Sequence, residues 1–154
     1  MNLSIGTPAP NFSANNQRGE IVTLNNYAGK KLVLYFYPKD DTPGCTAEAC
    51  SLRDNYEALL AQGYAILGVS PDKEAKHQKF IEKYNLPFDL LADTDNAVAV
   101  AYGVWVEKSM YGKKYMGMDR STFLVGKDGK VVRVWRKVKV AGHVAEVLEA
   151  AKAL

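Results

Sequence analysis

The stretch LVLYFYPKDDTPGC, residues 32–45, joins a short apolar run to a loop and to the start of a helix. The run combines β-branched, aromatic and leucine side chains on both faces, which is typical of a central strand that is covered on both sides. Pro38 ends this run. A second run of the same kind occupies residues 64–69, between Gly63 and Ser70.

The residues between the two runs have helical periodicity. Over residues 46–62, apolar side chains recur at intervals of three and four positions, and Gly63 supplies a stop signal. A strand, a helix and a second strand at this spacing form a βαβ unit, so we expect the two strands to pair in parallel.

The same criteria extend the pattern toward the C-terminus. They predict strands over residues 88–92, 121–125 and 131–135, and helices over residues 72–84, 96–102 and 142–154. Asp128 and Gly129 lie between the last two strands, and this dipeptide is a strong hairpin signal. The order of these strands and helices along the chain predicts an α/β protein with a thioredoxin-like fold, in which helices flank a mixed central sheet. Relative to that fold, the chain has an N-terminal extension and an insertion between its two halves.

Length and composition narrow the class of protein. The chain has 154 residues and a mass of 17.0 kDa, which predicts a single domain over residues 1–154. Hydrophobic residues make up 47% and charged residues 24%, as in globular rather than disordered proteins. The net charge of +3 is too small to indicate a nucleic-acid partner. Because no signal peptide and no apolar run of roughly 18 residues is found, we expect no membrane association and a cytoplasmic location.

Cysteine and histidine are scarce, since the chain has only Cys45, Cys50, His77 and His143. A structural zinc ion needs four ligands, and these histidines are not spaced from the cysteines as in a metal site. The sequence therefore predicts no metal and no other cofactor. The cysteines instead form a close thiol pair, and in a reducing compartment such pairs are usually catalytic.

Cys45 is expected in the first turn of the helix that follows the first strand. Thr42 is a favourable N-cap residue, and Pro43 suits the first helical position. The unpaired backbone N–H groups and the positive end of the helix dipole favour an anion there. A free thiol has a pKa near 8.5, but thiols at helix starts with a nearby cation reach roughly 3.5–7.5. We therefore expect Cys45 to be a reactive thiolate, although a small buried cysteine is the simpler alternative.

Cys50 follows Cys45 by five positions on the same helix. Five residues of intact helix separate the two Cα atoms by roughly 8–9 Å, whereas a disulfide needs less than about 7 Å. The spacing therefore predicts that the pair forms a disulfide only if the first turns of the helix unwind, over about residues 43–52.

These segments resemble those of the peroxiredoxins, and most closely the bacterioferritin-comigratory, or PrxQ, subfamily. The resemblance covers essentially the whole chain. It is carried by PxxxTPGC with a thiol five residues later, by GVW (residues 103–105), by MYGKKYMG (residues 110–117) and by RSTFLV (residues 120–125).

The resemblance implies an antioxidant thiol peroxidase of the atypical two-cysteine type. In that scheme Cys45 is the peroxidatic cysteine and Cys50 the resolving cysteine, which form an intramolecular disulfide. Pro38 would shield the pocket, Thr42 would hydrogen-bond thiolate and peroxide, and Arg120 would complete the site. The expected partners are hydrogen peroxide or organic hydroperoxides and a thioredoxin-like dithiol reductant, and the expected state is a monomer.

Other residues allow two interpretations each. Without the resemblance, Arg120 is interpreted as a surface arginine at the start of a strand. Arg53 shares a helix face with Cys50 and is either a second cation near the thiols or a solvated side chain. Glu48 either orients the hydrogen bonds of the pocket or favours the helix dipole. The backbone of Gly44 is a candidate donor in the pocket.

The aromatic segment at residues 105–118 is also ambiguous. It forms either an apolar rim over the pocket or the packing of an inserted loop.

Two other functions compete with peroxidase activity. A thiol–disulfide oxidoreductase can have the same fold, but the chain lacks a cysteine pair separated by two residues. A redox-sensing protein without enzymatic activity could use the Cys45–Cys50 pair as a switch, although no client-binding site is evident. Peroxide consumption distinguishes these functions from a peroxidase.

Overall fold

The computed structural model describes residues 3–154. The strands are β1 (Ser13–Asn16), β2 (Ile21–Thr23), β3 (Lys31–Phe36), β4 (Tyr64–Ser70), β5 (Asp89–Ala92), β6 (Trp105–Met110), β7 (Lys113–Met118), β8 (Ser121–Val125) and β9 (Val131–Trp135). The helices are α1 (Pro43–Asp54), α2 (Tyr56–Ala61), α3 (Glu74–Tyr84), α4 (Ala97–Ala101) and α5 (His143–Ala153), with a short 3-10 helix at Leu24–Tyr27.

Seven of these strands form one mixed sheet in the order β2-β1-β5-β4-β3-β8-β9. The pairs β3–β4 and β4–β5 are parallel, and β8 and β9 are added antiparallel beside β3. The predicted βαβ unit and the hairpin at residues 121–135 are therefore confirmed. The mixed α/β sheet with flanking helices agrees with the predicted thioredoxin-like fold.

Strand β3 separates two layers of the core. Leu32, Leu34 and Phe36 pack on one side of the sheet, and Val33 and Tyr35 pack on the other. Successive side chains of a strand point to opposite faces, so a strand that is apolar at every position is covered on both sides. Cys45, in the first turn of α1, belongs to the second layer.

The helix predicted over residues 46–62 is two helices. Asn55 interrupts it, with φ −106° and ψ 9°. The Asn55 side-chain amide donates to the carbonyl of Ser51 at 2.8 Å, and such local bonds compete with a regular helix. The periodicity of apolar residues continues across this break, so the break was not predicted.

The extension and the insertion both contain strands that were not predicted. Strands β1 and β2 extend the sheet beyond β5, and β6 pairs with β7 in a separate two-stranded hairpin. None of the helices in residues 3–154 is long and apolar enough to cross a membrane.

Candidate active site

Helix α1 begins where the sequence predicts, directly after the loop that follows β3. Thr42 is its N-cap residue with an extended backbone, and Pro43 occupies the first turn. The predicted side-chain cap is absent, and the Thr42 hydroxyl instead donates to the carbonyl of Lys39 at 2.9 Å. The Thr42 carbonyl accepts the N–H of Thr46 at 2.8 Å and so opens the helix.

Cys45 lies in the first turn of α1 and is 1% exposed. The amide groups at this end of the helix have no partners within the helix, so they place partial positive charge around the sulfur. The surroundings of Cys45 are otherwise apolar and aromatic, and they include Tyr35, Tyr37 and Ala49. An anion at this sulfur therefore depends on the helix end and on one further cation.

That cation is Arg120, which lies between β7 and β8. Its Nη2 donates to the Cys45 sulfur at 3.2 Å, and its Nη1 donates to Glu48 Oε1 at 2.7 Å. The Arg120 carbonyl accepts the N–H of Val138 at 2.9 Å, which fixes the backbone that carries the guanidinium. A charged donor at this distance can make a strong, charge-assisted hydrogen bond to the sulfur.

Arg120 keeps its charge although it is largely enclosed. Burial lowers its pKa, but the Glu48 carboxylate and the Cys45 sulfur outweigh burial and raise the pKa above its ordinary value. Arg120 is therefore part of an enclosed site and is not the solvated surface arginine that the sequence alone allowed.

Glu48 is fully buried, which excludes an exposed carboxylate that acts on the helix dipole alone. Burial raises the pKa of Glu48 from 4.5 to about 7, and the nearby Arg120 charge opposes this rise but does not cancel it. The second oxygen, Oε2, has no hydrogen-bond partner among the described residues. Glu48 thus orients Arg120 but is itself desolvated.

Gly44 lies beside Arg120 in the first turn of α1. A Cβ atom at Gly44 would lie 3.4 Å from Arg120 Nη2 and 4.0 Å from a methyl group of Val140, which are ordinary van der Waals distances. The approach of Arg120 to the sulfur therefore does not itself require a glycine, and the backbone N–H is what Gly44 offers to the site.

Cys50 lies farther along α1, is partly buried and is a free thiol like Cys45. Because α1 is continuous from Pro43 to Asp54, the two cysteines have the spacing of an intact helix. Their Cα atoms are therefore about 8–9 Å apart, beyond the reach of a disulfide.

Arg53 lies near Cys50, with which it interacts electrostatically. Its guanidinium donates to Asp54 at 3.0 Å and to the carbonyl of Tyr84 at 2.7 Å. It therefore ties the end of α1 to the end of α3.

Pro38 is exposed on the loop that leads into α1. In the segment at residues 105–118, Met118 is buried and Trp105 packs against the core. Tyr111, by contrast, is 99% exposed at the hairpin turn, and Tyr115 and Met116 are also exposed. The segment is thus a largely exposed hairpin whose base alone contributes to the core, so packing of the whole segment as a core loop is wrong, and the apolar rim over the pocket stays a prediction.

Asp40 and His77 were not singled out from the sequence, although both are buried close to this loop. Asp40 Oδ2 lies 2.5 Å from His77 Nδ1, and Asp40 Oδ1 accepts from Tyr37 at 2.6 Å. Asp40 lies inside the segment at residues 38–45, and His77 lies three residues before Phe80 on the apolar face of α3. A histidine on the apolar face of a helix indicates a buried polar group, but the sequence does not identify the residue with which it pairs.

The chain is similar to known proteins over most of its length. The family model for the AhpC/TSA family matches residues 5–134. The chain is 52% identical over 152 residues to the peroxiredoxin Bcp of Bacillus subtilis, with 99% of this chain and 97% of the relative covered. It is 46% identical over 141 residues to the peroxiredoxin Bcp of Escherichia coli K12, covering 92% of this chain and 90% of that protein.

Solved structures of related proteins also resemble this chain. Peroxiredoxin Q of Xanthomonas campestris superposes with a TM-score of 0.89 at 46% identity, covering 92% of this chain and 90% of that one. A structure of the bacterioferritin comigratory protein from Xanthomonas campestris superposes with a TM-score of 0.92 at 42% identity, covering 97% and 98%. The latter structure concerns the alkyl peroxide reduction activity of that protein, seen with a trapped intermediate and ligand.

Replacement of Glu48 by glutamine tests whether burial raises the pKa of the Glu48 carboxyl. Between pH 4.5 and about 7 the unfolded chain releases a proton that the folded chain keeps, so wild-type stability falls as the pH rises. Glutamine does not ionise. The free energy of unfolding of Glu48→Gln minus that of its parent should therefore increase by about 1–3 kcal/mol from pH 4.5 to pH 8.

Urea unfolding in a Cys45→Ser background measures this difference without a contribution from the Cys45 thiol. Glu149→Gln, on the exposed face of α5, controls for the loss of a surface carboxylate. A difference that stays constant or decreases with rising pH would show that the Glu48 carboxyl is not desolvated.

Proposed function

The chain belongs to the AhpC/TSA family, as a peroxiredoxin of the Bcp, or PrxQ, group, and we propose that Cys45 is its peroxidatic cysteine and Cys50 its resolving cysteine. The chain is accordingly a thiol peroxidase. The observation that carries the assignment is the contact of 3.2 Å between Arg120 Nη2 and the Cys45 sulfur at the start of α1. Cys50 lies in the middle of α1, away from the helix start, and the nearby Arg53 donates its hydrogen bonds to Asp54 and to the carbonyl of Tyr84.

The first step is nucleophilic attack by the Cys45 thiolate on one oxygen of a hydroperoxide. A sulfur–oxygen bond forms, the O–O bond breaks, and the other oxygen leaves as hydroxide or alkoxide and takes up a proton. Cys45 becomes sulfenic acid, and the peroxide is reduced to water or an alcohol. Negative charge moves from sulfur to oxygen, so fixed donors near both atoms stabilise the transition state.

Arg120 and the first-turn amides of Gly44 and Cys45 are positioned to act as these donors. The Thr42 hydroxyl already donates to Lys39, so its oxygen is available to accept the O–H of the peroxide. Pro38, exposed on the same loop, would limit access of water to this position. Activity toward organic hydroperoxides is proposed by analogy with the Xanthomonas protein.

The second step joins the two cysteines. The Cys50 sulfur attacks the sulfur of the Cys45 sulfenic acid, a disulfide forms, and water leaves. Because the intact helix holds the Cα atoms about 8–9 Å apart, the first turns of α1 must unwind before this bond forms. Unwinding separates Cys45 and Glu48 from Arg120, whereas Arg53 still ties the end of α1 to α3.

A dithiol protein completes the cycle. Two thiol–disulfide exchanges with thioredoxin or a similar reductant restore both thiols and oxidise the reductant. Both cysteines come from one chain, so the reaction needs no thiol from a second subunit, and we propose a single-domain monomer. A reducing cytoplasm would supply such a reductant.

Serine variants of the two cysteines test these roles. Cys45→Ser should not react with peroxide. Cys50→Ser should consume one equivalent per chain and stop as sulfenic acid, because the resolving thiol is missing. The wild-type chain should turn over continuously when coupled to thioredoxin and its reductase, as measured by peroxide consumption and by trapping of sulfenic acid with dimedone.

The assignment is reversed if Cys50→Ser fails to react even once while Cys45→Ser does. A wild-type chain that reduces insulin disulfides but consumes no peroxide would instead be a thiol–disulfide oxidoreductase.

Hydrogen exchange tests the proposed unwinding. Upon formation of the disulfide, amides in residues 44–51 should lose most of their protection, whereas α3 and β4 should keep theirs. The loss reflects broken helical hydrogen bonds and not a general destabilisation. Mass spectrometry of the reduced and oxidised chains measures both regions in one experiment.

Cys50→Ser treated with one equivalent of peroxide is the matched control, since it is oxidised but cannot form the bond. It should retain the protection of the reduced chain. Equal protection of residues 44–51 in the reduced chain and in the fully disulfide-bonded chain would contradict the unwinding.

A further inference from the structure

A buried polar cluster of Tyr37, Asp40 and His77 lies directly behind the loop that leads into α1. The side chains of Asp40 and His77 are both 0% exposed. Asp40 Oδ1 accepts the Tyr37 hydroxyl at 2.6 Å, and Asp40 Oδ2 lies 2.5 Å from His77 Nδ1. Both oxygens of this carboxyl are therefore engaged.

His77 connects Asp40 to the central sheet. Its Nε2 lies 2.8 Å from the carbonyl oxygen of Leu91 in β5, and since a carbonyl only accepts, Nε2 carries a hydrogen. The contact between Nδ1 and Asp40 then needs a second hydrogen, which lies between the two side chains. His77 is thus a two-ended link from β5 to the loop.

The backbone of Asp40 is held as well. Its N–H donates to Asp72 Oδ2 at 2.7 Å, and Asp72 also accepts from Ser70 at 2.8 Å and from Lys76 at 3.1 Å. The ligand atoms of Asp40, Asp72 and His77 lie within 4.8 Å of one another, as in some metal sites. A metal ion would have to displace these donors, so we interpret the cluster as a hydrogen-bonded one.

The next residue of the loop has an unfavourable backbone. Asp41 has φ +60°, a left-handed conformation that residues other than glycine seldom adopt. Its carboxylate accepts from Lys83 and from the Tyr84 hydroxyl, each at 2.9 Å. Such a conformation persists where the surroundings fix it, here from the interior at Asp40 and from the surface at Asp41.

A buried polar pair such as Asp40 and His77 is weak support for stability, because apolar side chains of similar volume often stabilise a protein equally well. Its directional bonds are better suited to fixing position. The element fixed here carries Pro38 and Thr42, two residues that the proposed function places at the peroxide.

We propose that His77 and Tyr37, acting through Asp40, are positioning residues that hold the Thr42 loop in place for attack on the peroxide. This inference rests on the proposed function. It predicts a selective effect, because the cluster sets where the peroxide lies, whereas Arg120 and the helix end set the charge on Cys45. Loss of the cluster should slow the reaction with peroxide but leave other thiolate reactions of Cys45 nearly unchanged.

Single-turnover rate constants in a Cys50→Ser parent test this proposal, with hydrogen peroxide and iodoacetamide as the two probes. Tyr37→Phe removes one bond to Asp40, and His77→Gln keeps a donor for Leu91 but loses the contact with Asp40. Both should slow the peroxide reaction about tenfold, because small misplacements of reacting groups have effects of this size or larger. Alkylation by iodoacetamide should change by less than about twofold, since it needs the thiolate but not the loop.

Two matched variants complete the test. His77→Asn places its amide near the position of Nδ1, so it can still donate to Asp40, and it should recover most of the peroxide rate. Tyr64→Phe removes a buried hydroxyl that has no partner among the described residues, and it should react at the rate of the parent.

The outcomes are distinguishable. A parent that does not react with peroxide overturns the proposed function and this inference together. A reactive parent with Tyr37→Phe at the same rate overturns only the positioning role. If a variant slows the peroxide reaction and the alkylation equally, its effect is a general structural one and the positioning role is overturned. The positioning role is also overturned if His77→Asn reacts as slowly as His77→Gln. Tyr37→Phe keeps the test available if the histidine variants do not fold.

Discussion

The Arg120 guanidinium donates to the Cys45 sulfur and to the Glu48 carboxylate at the same time, and the proposed reactivity of the sulfur rests on this sharing. Glu48 holds the guanidinium in place, but its own negative charge opposes a second anion nearby. The rise of the Glu48 pKa to about 7 limits that opposition, because part of the carboxyl is then protonated near neutral pH. One cation can therefore serve a sulfur anion without being fully neutralised by the residue that orients it.

The sheet explains why these groups meet. Strand β3 ends where the loop into α1 begins, and β8, which follows Arg120, pairs directly with β3. The cysteine at the helix start and the arginine at the strand start are therefore brought together by neighbouring strands, although they are 75 residues apart in the sequence. The same intact helix that places Cys45 beneath Arg120 keeps Cys50 away, so the arrangement suited to the first chemical step is unsuited to the second. The proposed cycle therefore requires α1 to alternate between a folded and an unwound state.

Much of this arrangement could be predicted from local sequence. The apolar runs at residues 32–37 and 64–69, the capping residues Thr42 and Pro43, and the turn at Asp128 and Gly129 each carry their own signal. The break at Asn55 could not be predicted. The apolar pattern continues across it, and the hydrogen bond from the Asn55 side chain to Ser51 leaves no periodic signal in the sequence. Pairings between distant residues, such as Glu48 with Arg120 and Asp40 with His77, have no local signal, since only the fold defines the partner. The resemblance to a known family supplied Arg120, but it did not supply Asp40 or His77.

The rate at which Cys45 reacts with hydrogen peroxide in a single turnover is the most direct test, measured in Cys50→Ser, where Cys45 is the sole thiol. In that background Arg120→Gln removes the cation that contacts the sulfur but leaves the start of α1 in place. If the guanidinium supports the reactive sulfur, Arg120→Gln should slow the reaction by at least about tenfold, because a hydrogen bond to a charged group is worth about 1.5–3 kcal/mol and about 1.4 kcal/mol is tenfold in rate. An Arg120→Gln variant that reacts at the rate of its parent would contradict this account of the reactive sulfur.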